Sequence, residues 1–286
     1  MDREHYLVVG AAGGIGLEVV KSLVAQGHQV VASTRNDDET AWLREAAPGI
    51  GDIIEIDLDA PASVLARLRD TLAAMPRLDG VAVCSGISPL APLETTPLEV
   101  IESTLRVNAV SCISIYQAAL PRLRETKGRL IFISSMAGKV GMPMIGGYVG
   151  SKHALEGYAD VMRREAFAWG VPVSLIEPGG VATSMGANQL KQVKARLESL
   201  SGADKTHYEP LYQAYVERLS ANLPKGIAAS VVAEVIIDAM TRPDPKPRYE
   251  VGADAIALCE RGRTLTDQEM DEFFRQAFGA GLRPRD

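Results

Sequence analysis

Tyr6-Leu-Val-Val-Gly10-Ala-Ala-Gly-Gly14-Ile-Gly16 is the stretch on which the fold turns. The apolar run Tyr6–Val9 reads as a short buried strand and feeds straight into a glycine-rich turn. An amphipathic segment follows, Leu17-Glu-Val-Val-Lys-Ser-Leu-Val-Ala-Gln26, and it stops at Gly27. Strand, glycine turn and helix in that order are the context a dinucleotide fingerprint requires. The glycines let the backbone approach a pyrophosphate, and the helix N-terminus offers free N–H groups with a partial positive charge. A tight strand–helix turn without a ligand would use the same glycines, so the reading needs support elsewhere in the chain.

That support lies in Tyr148-Val-Gly-Ser-Lys152, with Ser135 thirteen residues upstream. Tyrosine and lysine four apart share one face of a helix, about one turn from each other. A lysine charge beside a phenol favours the phenolate, so this spacing predicts a Tyr148 pKa lowered toward neutrality. A proton donor and acceptor of that kind suits carbonyl and alcohol chemistry.

Between and beyond these motifs, strands and helices alternate. Strands are predicted near 5–10, 29–34, 52–57, 80–84, 129–134, 172–177 and 247–251, and helices near 14–26, 39–47, 61–75, 97–125, 147–169 and 227–241. The alternation implies an α/β fold, a doubly wound parallel sheet of seven strands covered on both faces. Residues 184–225 carry helical patches without a strand, and Asp267–Phe278 reads as an amphipathic tail helix ahead of a loose end. The expected organisation is a single domain over 1–286. Residues 1–183 form the core, 184–225 a variable segment, and 226–286 the last helix–strand unit and tail.

Composition agrees with one large domain. Of 286 residues, 47% are hydrophobic, enough for a full core. A formal net charge of -6 argues against electrostatic nucleic-acid binding. No apolar run approaches the roughly 20 residues of a membrane span. The chain opens on charged residues and a strand rather than a leader, and its three cysteines are few and widely spaced, so a reducing, cytoplasmic location is expected. Cys84 and Cys112 sit in apolar segments and read as core filler, and the four histidines are scattered, giving no support for a metal site.

The three residues between Gly10 and Gly14, then Gly16, resemble the classical short-chain dehydrogenase/reductase family. So do Ser135 ahead of Tyr148 and Lys152, and Pro178-Gly179 followed by Thr183. The match runs from about 5 to 184. Ser151-Lys-His-Ala-Leu-Glu-Gly157, Val173-Ser-Leu-Ile-Glu-Pro-Gly179 and Pro247-Arg-Tyr-Glu-Val-Gly252 are similar to the branch containing retinol and hydroxysteroid dehydrogenases. The resemblance implies a Rossmann-type fold and an oxidoreductase that moves a hydride between a nicotinamide cofactor and a carbonyl or secondary alcohol.

The resemblance also implies roles for particular residues. Tyr148 is the proton donor or acceptor, and Lys152 lowers its pKa and holds the nicotinamide ribose. Ser135 hydrogen-bonds the substrate oxygen, and Asn108 bends a helix and anchors a proton-relay water. Gly10, Gly13, Gly14, Ile15 and Gly16 cradle the pyrophosphate. Asp57, with Leu58, meets the adenine, helix capping being the alternative for Asp57. Gly86 approaches the adenosine ribose, while Pro178, Gly179, Val181 and Thr183 close on the nicotinamide end.

After the second strand, Ser33, Thr34 and Arg35 stand where a chain preferring NAD usually places an acidic residue. Hydroxyls and a guanidinium suit a 2′-phosphate, so NADP(H) is expected, with NAD(H) the alternative given the nearby Asp37 and Asp38. Two departures from the family pattern stand out: Val9 replaces the usual threonine before Gly10, and Val83-Cys84-Ser85-Gly86 replaces an Asn-Asn-Ala-Gly stretch.

Met142, Met144, Ile145 and Met185 flank the expected pocket, either as an adaptable apolar wall or as ordinary core. Tyr208, Tyr212 and Tyr215 either pack a helix down or touch substrate. The partners implied are a small-molecule substrate and a second copy of the chain, as a homodimer or homotetramer paired through the helices near 97–125 and 147–169. A non-catalytic cofactor sensor is the competing class, and such proteins tend to lose the tyrosine or the lysine, both present here.

Overall fold

In the computed structural model, which describes residues 3–282, strands buried along nearly their whole length organise the molecule. The strands are β1 (His5–Val9), β2 (Gln29–Thr34), β3 (Ile53–Glu55), β4 (Gly80–Val83), β5 (Arg129–Ile133), β6 (Val173–Pro178), β7 (Val181–Ala182), β8 (Ile227–Ala228) and β9 (Arg248–Val251). Seven of them form one sheet in the order β3-β2-β1-β4-β5-β6-β9, with every neighbouring pair parallel. The order reverses beside β1, so a crevice opens beyond the carboxyl ends of β1 and β4, where the glycine turn and Gly86 lie.

The helices are α1 (Gly14–Ala25), α2 (Asp37–Ala46), α3 (Pro61–Ala74), α4 (Leu98–Leu105), α5 (Ser111–Thr126), α6 (Gly146–Ala166), α7 (Ser184–Ser199), α8 (Gly202–Asn222), α9 (Ala229–Thr241), α10 (Ala253–Thr264) and α11 (Asp267–Phe278). Leu7, Val81, Leu130 and Leu175 project to one face and pack against Leu68 of α3, Ile115 of α5 and Leu155 of α6. Tyr6, Val8, Ala82 and Ile176 project to the other, against Val20 and Leu23 of α1 and Ile236 of α9. Because side chains alternate along each strand, a sheet buried on both faces needs apolar residues at nearly every position. The strands supply them.

A third apolar cluster stands apart from the sheet. Val193 of α7, Leu211 and Tyr212 of α8 and Phe278 of α11 pack around Met144, just before α6. The segment carrying α7 and α8 leaves through β7 and returns through β8, which pair with each other as a small clasp.

The seven sheet strands and the tail helix Asp267–Phe278 fall where the sequence predicts them. Thr266 and Glu269 close the start of α11 with a reciprocal capping box. Other elements differ. The helix expected over 97–125 is broken by a wide π turn at Arg106–Val110, and β7, β8 and α10 have no counterpart among the expected elements. The loose end expected after α11 lies largely outside the described residues.

Candidate active site

Gly10 leaves β1 with a positive φ of 80°, and a Cβ there would come within 2.2 Å of Ser85 Oγ. At Gly16 a Cβ would fall 2.3 Å from the Gly10 carbonyl oxygen, and at Gly14 2.8 Å from the Thr183 methyl. Glycine is therefore demanded by sterics at all three. Gly13 is the N-cap of α1 and offers no side chain to its first amides, while Ile15 packs into the sheet face beneath. A glycine-lined turn and uncapped amides at the start of a twelve-residue helix fit the pyrophosphate of a dinucleotide. Thr183 resting on Gly14 brings the Pro178–Thr183 loop onto this turn.

The end of β2 is built differently from the sequence expectation. Ser33 Oγ accepts from Gly10 N at 3.1 Å, and the Thr34 hydroxyl pairs with that of Thr40 at 2.6 Å. Both side chains are buried, so their hydroxyls serve the turn and the start of α2 instead of facing a phosphate. Arg35 is exposed but engaged: its Nε donates to Glu39 Oε1 at 2.8 Å, Nη2 donates to the same oxygen, and its backbone N donates to Glu39 Oε2 at 2.9 Å. Asp57 is exposed and accepts from Asp59 N at 2.9 Å, while Leu58 packs against the first apolar face. Asp59, two residues on, accepts from Arg106 Nε at 2.6 Å and from the Ser103 hydroxyl.

The catalytic candidates converge at the carboxyl ends of β4 and β5. Asn108, buried in the π turn, clamps Ile87 from both sides: its Oδ1 accepts from Ile87 N at 2.9 Å and its Nδ2 donates to Ile87 O at 2.8 Å. The same Nδ2 donates to Ser151 Oγ at 2.9 Å, which ties the loop after Gly86 to α6. A Cβ on Gly86 would sit 3.4 Å from Asn108 Oδ1 and 3.6 Å from Lys152 Nζ, so all three share one small space. Lys152 is buried and donates to the Ile133 carbonyl at 2.7 Å. Its Nζ lies 5.6 Å from the centre of the Tyr148 ring. Ser135 accepts from Ala137 N at 3.1 Å, and its hydroxyl reaches the Tyr148 phenol.

The protonation states correct one expectation. Burial lowers the Lys152 ammonium to about 8, with the Cys112 thiol and Glu156 pulling it back up. The Tyr148 phenol is raised, not lowered, because burial disfavours phenolate and only the Ser135 hydroxyl opposes it. Lys152 aims its charge at the Ile133 carbonyl instead, so the phenol keeps its proton through the neutral range.

At the far side of the crevice β6 ends at Pro178. Gly179 N donates to Val251 O at 3.0 Å, and Gly180 N to Asp254 Oδ2 at 2.7 Å. Val181 lies in the β7–β8 clasp. Asp254 is an anchor that sequence reasoning missed, for it stands on the unanticipated α10.

A buried charge network just behind the site was also missed. Glu156, one turn beyond Lys152, and Glu177, just before Pro178, both contact Lys139 and Arg248. Burial, with the neighbouring Glu156 charge, pushes Glu177 up to about 7. Among the described residues one trio, Glu177, Glu250 and Cys259, brings its ligand atoms within 4.8 Å of one another. Lys139, Arg248 and Arg263 already neutralise its carboxylates.

Comparison with known proteins fits this geometry. The family profile described as short chain dehydrogenase matches residues 4–194. The chain belongs to the short-chain dehydrogenase/reductase family. It is 29% identical over 280 residues to the 3-amino-tetrahydro-pyrrolizinone reductase of Xenorhabdus hominickii, covering 96% of each chain. It is 30% identical over 260 residues to human 17-beta-hydroxysteroid dehydrogenase type 1, covering 87% of this chain and 77% of that one. A short chain dehydrogenase of Burkholderia cenocepacia J2315, solved in complex with NADP, superposes with a TM-score of 0.73 at 18% identity, covering 99% of each chain. The chain is thus an oxidoreductase with a Rossmann-like single-domain fold, on the hydroxysteroid dehydrogenase-like side of its family.

Within this family member the residues expected to flank a pocket divide. Met144 and Ile145 are buried, Met144 with a positive φ of 72° and in the third apolar cluster. Met185 is exposed, and Met142 lines an open hollow of about 480 Å³ with Phe274 and Arg275. The three tyrosines of α8 act in packing. Tyr212 is fully buried, Tyr215 stacks near Phe278 at 6.1 Å, and the Tyr208 hydroxyl binds Glu94. Cys84 and Cys112 are inert, their thiols raised by burial to about 12 and about 11.

Proposed function

We propose that this oxidoreductase catalyses NADPH-dependent reduction of an apolar ketone, with oxidation of a secondary alcohol as the reverse reaction. The observation that carries the reading is the convergence of Tyr148, with Lys152 Nζ 5.6 Å from its ring, the Ser135 hydroxyl and the Asn108 clamp at the carboxyl ends of β4 and β5. The nicotinamide cofactor supplies the hydride when bound. Tyr148 delivers its proton to the substrate oxygen, and Ser135 donates a hydrogen bond to that oxygen as its charge builds. Lys152, charged below about pH 8, holds the nicotinamide ribose from its place on the Ile133 carbonyl. Asn108 keeps the Gly86–Ile87 loop and α6 at a fixed separation, as an anchor for proton relay to Lys152.

In this reading Gly10, Gly13, Gly14, Ile15 and Gly16 bind the pyrophosphate, and Arg35 meets the 2′-phosphate, while the buried Ser33 and Thr34 hydroxyls brace the turn and the start of α2 around it. Asp57 and Leu58 flank the adenine, Gly86 its ribose, and Pro178, Gly179, Val181 and Thr183 the nicotinamide end. Residues 184–225 shape the substrate pocket. The exposed apolar side chains Leu98 and Leu105 of α4 and Val161 of α6 suit burial against a second copy, as a homodimer or homotetramer. Among the described residues no helix is long and apolar enough to cross a membrane. We place the protein in the cytoplasm.

One observation favours NAD(H) instead: Arg35 is already paired with Glu39. Fluorescence titration with NADPH and NADH, in the wild type and in Arg35→Ala, decides between them. The reading expects tighter NADPH binding that the variant loses selectively, by about tenfold or more. Equal or better NADH binding, unchanged in Arg35→Ala, would overturn it.

A further inference from the structure

Glu39 occupies a position with no assigned role, yet it uses both carboxylate oxygens on Arg35. Oε1 accepts from Nε and Nη2 of the guanidinium, and Oε2 accepts from the Arg35 backbone N. The loop is closed again from the other side, since Glu39 N donates to Asn36 Oδ1 at 2.9 Å as the N-cap of α2. The Glu39 backbone is therefore fixed at the helix start, and its carboxylate is held by three donors of Arg35. Its carboxyl is held below the usual carboxylate range: the Arg35 contacts outweigh the burial that opposes them. At neutral pH it is an anion.

A guanidinium offers five N–H donors in a planar fork, and a phosphate is best met by one edge with two parallel bonds. Glu39 takes the Nε/Nη2 edge and leaves the Nη1/Nη2 end. A 2′-phosphate arriving at Arg35 thus meets a cation with its better edge occupied, beside a fixed negative charge. Asp37 and Asp38 stand in the same first turn of α2 and reinforce the repulsion.

We propose that Glu39 is a specificity-determining residue that holds back recognition of the 2′-phosphate by Arg35, so that the preference for NADP(H) over NAD(H) is smaller than the Arg35 contact alone would give. This rests on the reading of Arg35 as the phosphate contact. A ribose 2′-hydroxyl carries no charge and needs nothing from Arg35, so Glu39 affects only the phosphorylated cofactor. The charges involved are largely exposed and screened, which makes the expected effect modest: a release of about three- to fivefold in affinity.

The test is titration of NADPH, NADH and 2′,5′-ADP against the wild type, Glu39→Gln, Arg35→Ala and the double variant, by fluorescence or calorimetry. The amide of Glu39→Gln keeps the size and the backbone contact but drops the charge. It should tighten 2′,5′-ADP and NADPH by about three- to fivefold and leave NADH within twofold, with the gain absent when Arg35 is also removed. Unchanged NADH binding also certifies that each variant is folded. If Glu39→Gln fails to tighten 2′,5′-ADP while Arg35→Ala still weakens it, the inference about Glu39 is wrong and the phosphate assignment of Arg35 stands. If Arg35→Ala leaves 2′,5′-ADP binding unchanged, the assignment of Arg35 is wrong and the role of Glu39 falls with it.

Discussion

The two sides of the crevice are held together by different physics. On the cofactor side, Gly10, Gly14 and Gly16 are fixed by sterics, since a single added carbon would strike backbone or a neighbouring side chain in each case. On the side proposed for substrate, α7, α8 and α11 are held by a generic apolar cluster and a few polar pins, such as Gln189 Nε2 donating to Ser88 Oγ at 2.9 Å. The first kind of site tolerates almost no change in residue type, and the second tolerates a great deal. A family can therefore keep one cofactor chemistry and vary its substrate.

The contrast can be broken or sharpened by mutation. The largest effect is expected from Lys152→Met, which removes a buried cation and leaves the Ile133 carbonyl without its donor. Turnover should fall by about 10²–10⁴, the range of a general acid–base contribution, and cofactor affinity should fall with it. Steady-state rates and cofactor titration measure both. A variant that keeps near-wild-type turnover would place the cofactor side's chemistry elsewhere.

An intermediate effect is expected from Glu177→Gln, which probes the charge network behind the site, between α6, β6 and β9. The folded pKa of Glu177, about 7, lies above the ordinary value of 4.5. Its contribution to stability is therefore full below about pH 4.5 and is lost as pH rises through about 7. Removing the titration should leave the variant gaining on the wild type by on the order of 2 kcal/mol between pH 5 and pH 8. Urea melts at the two pH values read this directly. Parallel shifts for both proteins would show that Glu177 ionises normally.

The smallest effect belongs to the substrate side. Gln189→Ala removes one neutral pin between α7 and the loop after β4, worth about 1 kcal/mol. The substrate KM should move by about three- to fivefold with cofactor affinity untouched. A loss of cofactor binding would mean that the two sides are less separable than their packing implies.

What the sequence made readable follows the same divide. Strand positions were legible because a sheet buried on both faces forces apolar runs, as in Tyr6–Val9 and Leu130–Ile133. The turn at Gly10–Gly16 was legible because its geometry admits glycine alone. The Arg35–Glu39 pair is legible in its i,i+4 spacing at a helix start, though the same Arg35 equally suits a phosphate. The raised Tyr148 pKa was not legible, for it depends on where Lys152 points and on how deeply the phenol is buried. Nor was the Glu156–Lys139–Glu177–Arg248 network, whose members meet only after α6, β6 and β9 have packed.

The central claim is that Tyr148 passes a proton to the substrate oxygen. Its most direct test pairs NADPH oxidation over a panel of apolar ketones with cofactor titration, in the wild type and in Tyr148→Phe. The account predicts turnover in the wild type that Tyr148→Phe lowers by at least about 10²-fold while NADPH binds both proteins alike. A wild type that binds cofactor yet turns over no carbonyl or alcohol, or a Tyr148→Phe variant of unchanged rate, would contradict it.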